Sequence, residues 1–257
     1  MNYIKVKHSG NLGDVIYSLS VLYELSKQRN AKIVYYIHLD QPSTFTDKTH
    51  PVGAVMMNKK MFELSYPLLK SQPYIHDVIA IEKNESMIVD YDLDLFRKDH
   101  KNLSAADIKT WISVSYPELR ADLCEQCLFV EPIPNNYIII NRSQRYNAPL
   151  IDYTILEDKG NCMFVGVESE YKVMRAIAPS IEWLQVEDFK QLAGYISGCL
   201  LFIGNQSMPF AIAEQLKVKR ILEQYYGCPN VLPHGGEHFT FQTQKQFENI
   251  INKYIFV

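Results

Sequence analysis

Asp14 closes the stretch His8-Ser9-Gly10-Asn11-Leu12-Gly13-Asp14, where an apolar run gives way to an amphipathic segment. A carboxylate at such a junction can cap a helix. It can also take a proton from a substrate hydroxyl, because the carboxyl ends of buried strands open onto ligand crevices. Asn11 and Gly13 share that turn and are read as lining the same pocket. A second stretch, Gly204-Asn205-Gln206-Ser207, sets small and polar residues immediately before another apolar segment. Free N–H groups and the helix dipole favour an anion such as phosphate there. The plainer alternative is that Asn205 or Ser207 only caps the helix. Arg142 and Arg145 follow a further apolar run, and their planar forks suit a diphosphate; the plainer reading is surface charge. Glu168 and Glu223 stand at two more strand ends and suit ribose hydroxyls.

Several familiar chemistries are missing from the pattern. There is no GxxxxGK[ST] loop, and "SGNLGD" lacks the rest of a GxGxxG turn. No GxSxG elbow or Ser-His-Asp order occurs. Cys124 and Cys127 form a lone CxxC with no second pair to complete a zinc site, and are read as structural. His234 and His238 have i,i+4 spacing, but the intervening glycines argue for a loop rather than a metal-binding helix. No metal and no cofactor are therefore assigned.

The elements that must position these groups form two series. A strand around Ile4 and Val6, a helix from Asp14 with Ile16, Leu19 and Tyr23 on one face, and a strand Lys32–Leu39 make a βαβ unit. A long loop over 40–57, a helix from Lys59, strands Asp77–Lys83 and Met87–Phe96, and a helix capped by Ser104 and stopped by Pro117 follow. "EPIPNN", Glu131–Asn136, is the linker. The second series has strands Tyr137–Asn141, Cys162–Val167, Leu200–Asn205 and Lys219–Gln224. Its helices are Val186–Gly198, Ser207–Leu216 and a terminal one from Lys245. The expected fold class is α/β: two Rossmann-like domains facing across a cleft, 1–133 and 134–257. The terminal helix is a candidate to return onto the first domain.

With 47% hydrophobic and 21% charged residues and a net charge of −3, the 257-residue chain has an ordinary globular composition without a global basic field for nucleic acid. No run approaches the roughly 18 apolar residues of a membrane span, and the N-terminus lacks a signal-peptide core. Five cysteines, an odd number, fit a reducing compartment. A cytoplasmic location without stable membrane insertion is the expectation.

Two stretches together, "KHSGNLGDVIYSLSVLYEL" and "GCLLFIGNQSMPFAIAEQLKVKRILE", resemble the opening and nucleotide-binding segments of ADP-heptose:lipopolysaccharide heptosyltransferases, glycosyltransferase family 9. The resemblance implies a GT-B fold and an inverting, metal-independent transfer from a nucleotide-diphosphate sugar. It maps Asp14 onto the general base and Asn205-Gln206-Ser207 onto the diphosphate loop. The chain departs from the family at Asn205, where the family has Asp, near Phe210, where it has His, and at "NRSQRYNAP", where a Lys-x-Trp-type segment is expected. Asn11, Gly13, Arg142, Arg145, Glu168 and Glu223 complete the expected nucleotide-sugar site. The acceptor, a glycan, a lipid-linked sugar or a modified base, is left open. Rival readings are a non-catalytic nucleotide-sugar-binding module, a glycosyltransferase acting on modified nucleic-acid bases near Lys59, Lys60 and Lys70, and a nucleotide-sugar epimerase.

Overall fold

The structure, a computed structural model, describes residues 2–43, 54–99, 106–157 and 159–254. Most of the predicted 40–57 loop, and the predicted cap Ser104, lie outside them. The first half begins with Tyr3–His8 (β1), Leu12–Tyr17 (α1), Leu19–Arg29 (α2), Lys32–His38 (β2), Lys59–Lys70 (α3) and Ile75–Ile81 (β3). It continues with Tyr91–Asp92 (β4), Phe96–Asp99 (α4), a single 3-10 turn at Ile108–Thr110 and Ile112–Ser115 (α5). The second half holds Ile138–Asn141 (β5), Cys162–Phe164 (β6), Glu168–Ile177 (α6), Glu182–Trp183 (β7) and Phe189–Gly198 (α7). Leu201–Asn205 (β8), Met208–Leu216 (α8), Arg220–Glu223 (β9), His238–Phe241 (β10) and Gln244–Tyr254 (α9) complete it.

Each half is built on a parallel sheet, of order β3-β2-β1-β4 in the first and β10-β9-β8-β5-β6-β7 in the second. The strands are short runs of buried Ile, Val, Leu and Phe, as sheets covered on both faces require. Both sheets have a point where the chain reverses its direction of travel across the sheet. In the first it lies between β1 and β4; in the second, between β5 and β8. Loops leaving the carboxyl ends of strands on either side of such a point diverge and open a crevice.

The two halves share one hydrophobic cluster. Val15, Ile16 and Leu22 of the first helices pack in it with Phe210, Ile212 and Leu216 of α8 and with Leu192 and Ile196 of α7. A Cβ on Gly13 would come within 3.9 Å of the Met208 Cα, so the amino ends of α1 and α8 lie close together. The segment before β5 is a strap between the halves. Cys127 and Leu128 donate backbone N–H groups to the Gln215 carbonyl, and Ile133 donates to that of Gly194. The second half also has its own cluster, around Phe164, Ile203, Phe241 and Phe247.

Several elements differ from the sequence expectation. The first helix begins at Leu12 rather than Asp14 and is interrupted at Ser18, whose hydroxyl lies 2.8 Å from the Tyr35 hydroxyl and donates to the Val15 carbonyl at 2.7 Å. The strand expected over Met87–Phe96 shrinks to Tyr91–Asp92. The helix expected up to Pro117 is broken into a 3-10 turn and the short α5, because Asp107 and Lys109 turn inward onto buried charges. α6, β7 and β10 were not anticipated. The terminal helix seats Phe247 and Ile251 in the second half's own cluster.

Candidate functional site

The loops at both reversal points face one cavity of about 540 Å³. That is within the size range of sites that enclose a small organic ligand. From the first half, Asn11, Gly13 and Asp14 line it with Arg97, Trp111 and Lys60. From the second half come the loop after β5, residues 143–146, the start of α8 at Ser207–Pro209, and Glu170 of α6. An apolar wall of Trp183, Leu184, Val186 and Phe189 closes another side.

Asp14 is held by its turn. Asn11 is the N-cap of α1 and Asp14 the third helical residue, so the carboxylate caps backwards: the Asn11 N–H donates to its Oδ2 at 3.3 Å. The same oxygen lies 2.7 Å from Arg97 Nη2. Arg97 also reaches Asp94 Oδ1 through Nε at 3.3 Å, and the Ser9 N–H donates to Asp94 Oδ2 at 2.7 Å. Burial opposes ionisation of Asp94, but the Arg97 charge and the Ser9 N–H hold its carboxyl below the usual range. His8 is buried, which lowers its pKa, and its Nδ1 accepts the Gly10 N–H at 2.8 Å, as a neutral ring does.

Across the cavity, the two polar loops are fastened to each other. Asn205 is fully buried and does not line the cavity. Its Oδ1 accepts from the Ser143 N–H at 3.1 Å, and its Nδ2 donates to the Ser143 carbonyl at 2.7 Å and to Asn147 Oδ1 at 3.0 Å. It thereby fixes the shape of the loop that carries Arg145. Gln206 lines the cavity with its amide spent on Cys228, Asn230 and the Tyr225 N–H. Ser207 occupies the N-cap position of α8 without capping it, because its hydroxyl donates to Asn141 Oδ1. Pro209 has no N–H, so Met208 and Phe210 keep the N–H groups of the first turn that lack a side-chain cap, and of these two residues Met208 lines the cavity. Arg145 lines the cavity, its guanidinium 5.1 Å from the Tyr146 ring centroid.

The structure does not bring every expected residue to the cavity. Arg142 and Glu223 form a bidentate pair at 2.9 and 3.0 Å, and Glu223 also accepts from the Tyr153 hydroxyl and the Ala148 N–H at 2.7 Å each. Glu223 is completely buried, and neither residue lines the cavity. The pair anchors the loop after β5 to β9. Glu168 is exposed and pairs with Lys172 at 2.8 Å, one helical turn along. Glu170, two residues later, is the α6 carboxylate that does line the cavity. Burial raises its pKa against the opposing Gln144 N–H, which donates to it at 3.2 Å. Gly166, at φ 152°, is needed beside it: a Cβ there would lie 2.8 Å from the Phe164 ring and 3.0 Å from Glu170 Oε2.

Three further positions singled out in the sequence lie as follows. Cys127 is buried, donates from Sγ to Gln215 Oε1 at 2.8 Å, and has its thiol pKa pushed up to about 12 by burial. That is the behaviour of a structural cysteine. His234 Nε2 lies 2.8 Å from Asp107 Oδ2, while His238 Nδ1 turns to the Gly235 carbonyl. Phe210 is fully buried against Phe202, its ring centroid 6.2 Å away.

Arg97, Trp111, Glu170 and Tyr17 are cavity residues that the sequence reading missed. The Tyr17 hydroxyl is buried and has no hydrogen-bond partner among the described residues. An orphaned buried hydroxyl costs about 1–3 kcal/mol. Tyr17→Phe is therefore expected to raise the melting temperature, by about 1 kcal/mol of stability. A lower melting temperature would mean that the hydroxyl has a partner in solution.

No protein-family model and no curated protein sequence matches the chain. Solved structures do. E. coli ADP-heptose LPS heptosyltransferase II aligns with a TM-score of 0.63 at 12% identity, over 99% of this chain and 98% of that one. E. coli heptosyltransferase WaaC, solved with ADP-2-deoxy-2-fluoro heptose, gives 0.61 at 10% identity over 98% of each chain. A glycosyl transferase family 9 protein from Veillonella parvula gives 0.60 at 14% identity, over 98% of this chain and 88% of that one. The fold is GT-B: two Rossmann-like halves with a shared cavity at their strand ends.

Proposed function

We propose that the chain is an inverting glycosyltransferase that uses a nucleotide-diphosphate sugar, with Asp14 as general base and no metal in the reacting centre. One observation carries this reading: Asp14 lines the same cavity as Arg145 and the uncapped amino end of α8. A base and an anion-binding region thus share a single enclosure. The solved structures of similar fold include heptosyltransferases that bind ADP or an ADP-sugar analogue, which supports the donor class.

The chemistry balances without a further reactant. Asp14 takes the proton of the acceptor hydroxyl as that oxygen bonds to the anomeric carbon. The bond from the anomeric carbon to the diphosphate breaks, and its electron pair leaves on the nucleoside diphosphate. Arg145 and the Met208 N–H at the start of α8 stabilise that developing charge. Trp183, Leu184 and Val186 offer apolar surface to a nucleobase, and Glu170, which lines the cavity where Glu168 and Glu223 do not, is assigned to the ribose hydroxyls.

The test is a thermal-shift series with ADP-glucose, UDP-glucose, GDP-mannose and the free diphosphates. A donor held a hundredfold above its Kd stabilises by about 2.7 kcal/mol. The matching donor and its diphosphate should raise Tm, and Arg145→Ala should reduce the shift. No shift with any nucleotide or nucleotide sugar sinks the reading.

A further inference from the structure

We propose that Arg97 is a positioning residue for this site: it pins one oxygen of Asp14 and leaves the other for the acceptor hydroxyl. The inference rests on Asp14 being the base. It arises from how the charges are distributed over the carboxylate. Oδ2 receives both Arg97 Nη2, at 2.7 Å, and the Asn11 N–H, at 3.3 Å. Oδ1 has no partner among the described residues. A carboxylate held this way has a fixed plane and one open oxygen, which is what in-line proton removal needs.

Arg97 is itself held firmly. Its Nε reaches Asp94, which the Ser9 N–H anchors to the end of β1. Its guanidinium carbon sits 4.8 Å from the Phe96 ring centroid, and Phe96 in turn packs on Trp111 at 5.6 Å. The fork thus bridges the loops after β1 and β4, the two that flank the first sheet's reversal point. The backbone is shaped to permit this. A Cβ on Gly10 would lie 2.7 Å from Asp14 Oδ2, 2.8 Å from Arg97 Nη2 and 2.5 Å from His8 Cε1. A side chain at position 10 would push the ion pair aside. A lysine at position 97 supplies charge without the fork, so it cannot hold Asp14 and Asp94 in the same way.

Arg97→Ala, Arg97→Lys and Asp14→Asn test the proposal, with hydrolytic release of the nucleoside diphosphate as the readout, water serving as the acceptor hydroxyl, from whichever of ADP-glucose, UDP-glucose and GDP-mannose raises Tm. Misplacing a catalytic group by about 1 Å costs on the order of 100-fold, so Arg97→Ala should lower kcat to that degree and leave the donor KM little changed. Arg97→Lys should recover part of the loss, and so should guanidinium ion added to Arg97→Ala. A raised donor KM with unchanged kcat would make Arg97 a donor contact and overturn the proposal. Full activity of Arg97→Ala, or no rescue by either route, would overturn it as well. If Asp14→Asn retains turnover, it is the base assignment that fails. If Asp14→Asn is inactive while Arg97→Ala is not, only the role given to Arg97 fails.

Discussion

Asp14→Asn should lower turnover by about 10²–10⁴-fold, the usual contribution of a positioned general base. The substitution removes the proton acceptor and the charge that pairs with Arg97, and keeps the side chain's size. The side-chain amide keeps an oxygen that can accept the Asn11 N–H, so the start of α1 stays closed. Arg97 keeps its second partner, Asp94, and its seat over Phe96. Donor binding should survive, because Arg145, Glu170 and the Trp183 wall reach the cavity from the other sheet. The expected result is therefore a split: the wild-type thermal shift with a donor, and a collapse of kcat without a matching change in KM. Two outcomes would end the assignment. Full turnover in Asp14→Asn would show that the proton goes elsewhere. Loss of the fold would show that Asp14 serves chiefly as the capping group, the alternative its place in the turn already suggested.

Why that alternative could be judged only partly from the sequence is a matter of range. The strand, turn and helix around Asp14 are local: an apolar run, two glycines and an amphipathic face within 25 residues. The same holds for β5, β8, α8 and β9, whose buried aliphatic runs and flanking polar residues identified the second parallel sheet. The partners of the charged groups are not local. Arg97 is 83 residues from Asp14, and Arg142 is 81 from Glu223, so nothing in either neighbourhood signals the pairing. Arg142 and Glu223 read as exposed strand-end charges; the parallel register puts Asn205 beside Glu223 and Gly204 beside Asn141, which brings their loops together and buries them. α6 was missed because its polar residues resemble a loop. Without that helix there was no means of telling that Glu170 faces inward and Glu168 outward. The helix expected through Ile108 failed for a related reason: Lys109 looks like a surface charge and is almost wholly buried.

Lys109 belongs to the cluster where the largest loss of stability is expected. Glu214, on α8, is fully buried and is shared by three cations. Arg220 approaches Oε2 at 2.6 Å, and Lys217 and Lys109 approach Oε1 at 3.0 and 3.5 Å. The His234 N–H donates to Oε1 at 3.0 Å. Burial raises the Glu214 pKa, but Lys109, Arg220 and Lys217 outweigh it and hold the carboxyl below its ordinary value. Glu214→Gln keeps the volume and removes the charge, which leaves Arg220 and Lys109 buried with less than their complement of anion. Arg220 retains the His234 and Gly235 carbonyls, and Lys109 retains Asp107 and the Leu232 carbonyl. Those carbonyls, with the Asp107 carboxylate 3.4 Å from Lys109, do not replace a carboxylate shared by all three cations. Breaking a buried pair from one side costs about 3–5 kcal/mol. For a chain of this size that corresponds to a fall in Tm on the order of 10 °C. The sign with pH follows from linkage. A carboxyl whose folded pKa lies below its unfolded value contributes stability that is fully present above the unfolded value, 4.5, and is lost as pH falls through the folded one. The gap between wild type and Glu214→Gln should therefore be constant near neutrality and narrow in acid. Equal melting curves at pH 7 would show that the three cations do not depend on Glu214. A gap that persists unchanged at pH 3 would show that the glutamate's charge is not what stabilises the fold. Because Lys109 is flanked by Ile108 and lies close to Trp111, both lining the cavity, Glu214→Gln should also weaken the donor's thermal shift. The buried charges under α8 thus brace the wall that faces Asp14.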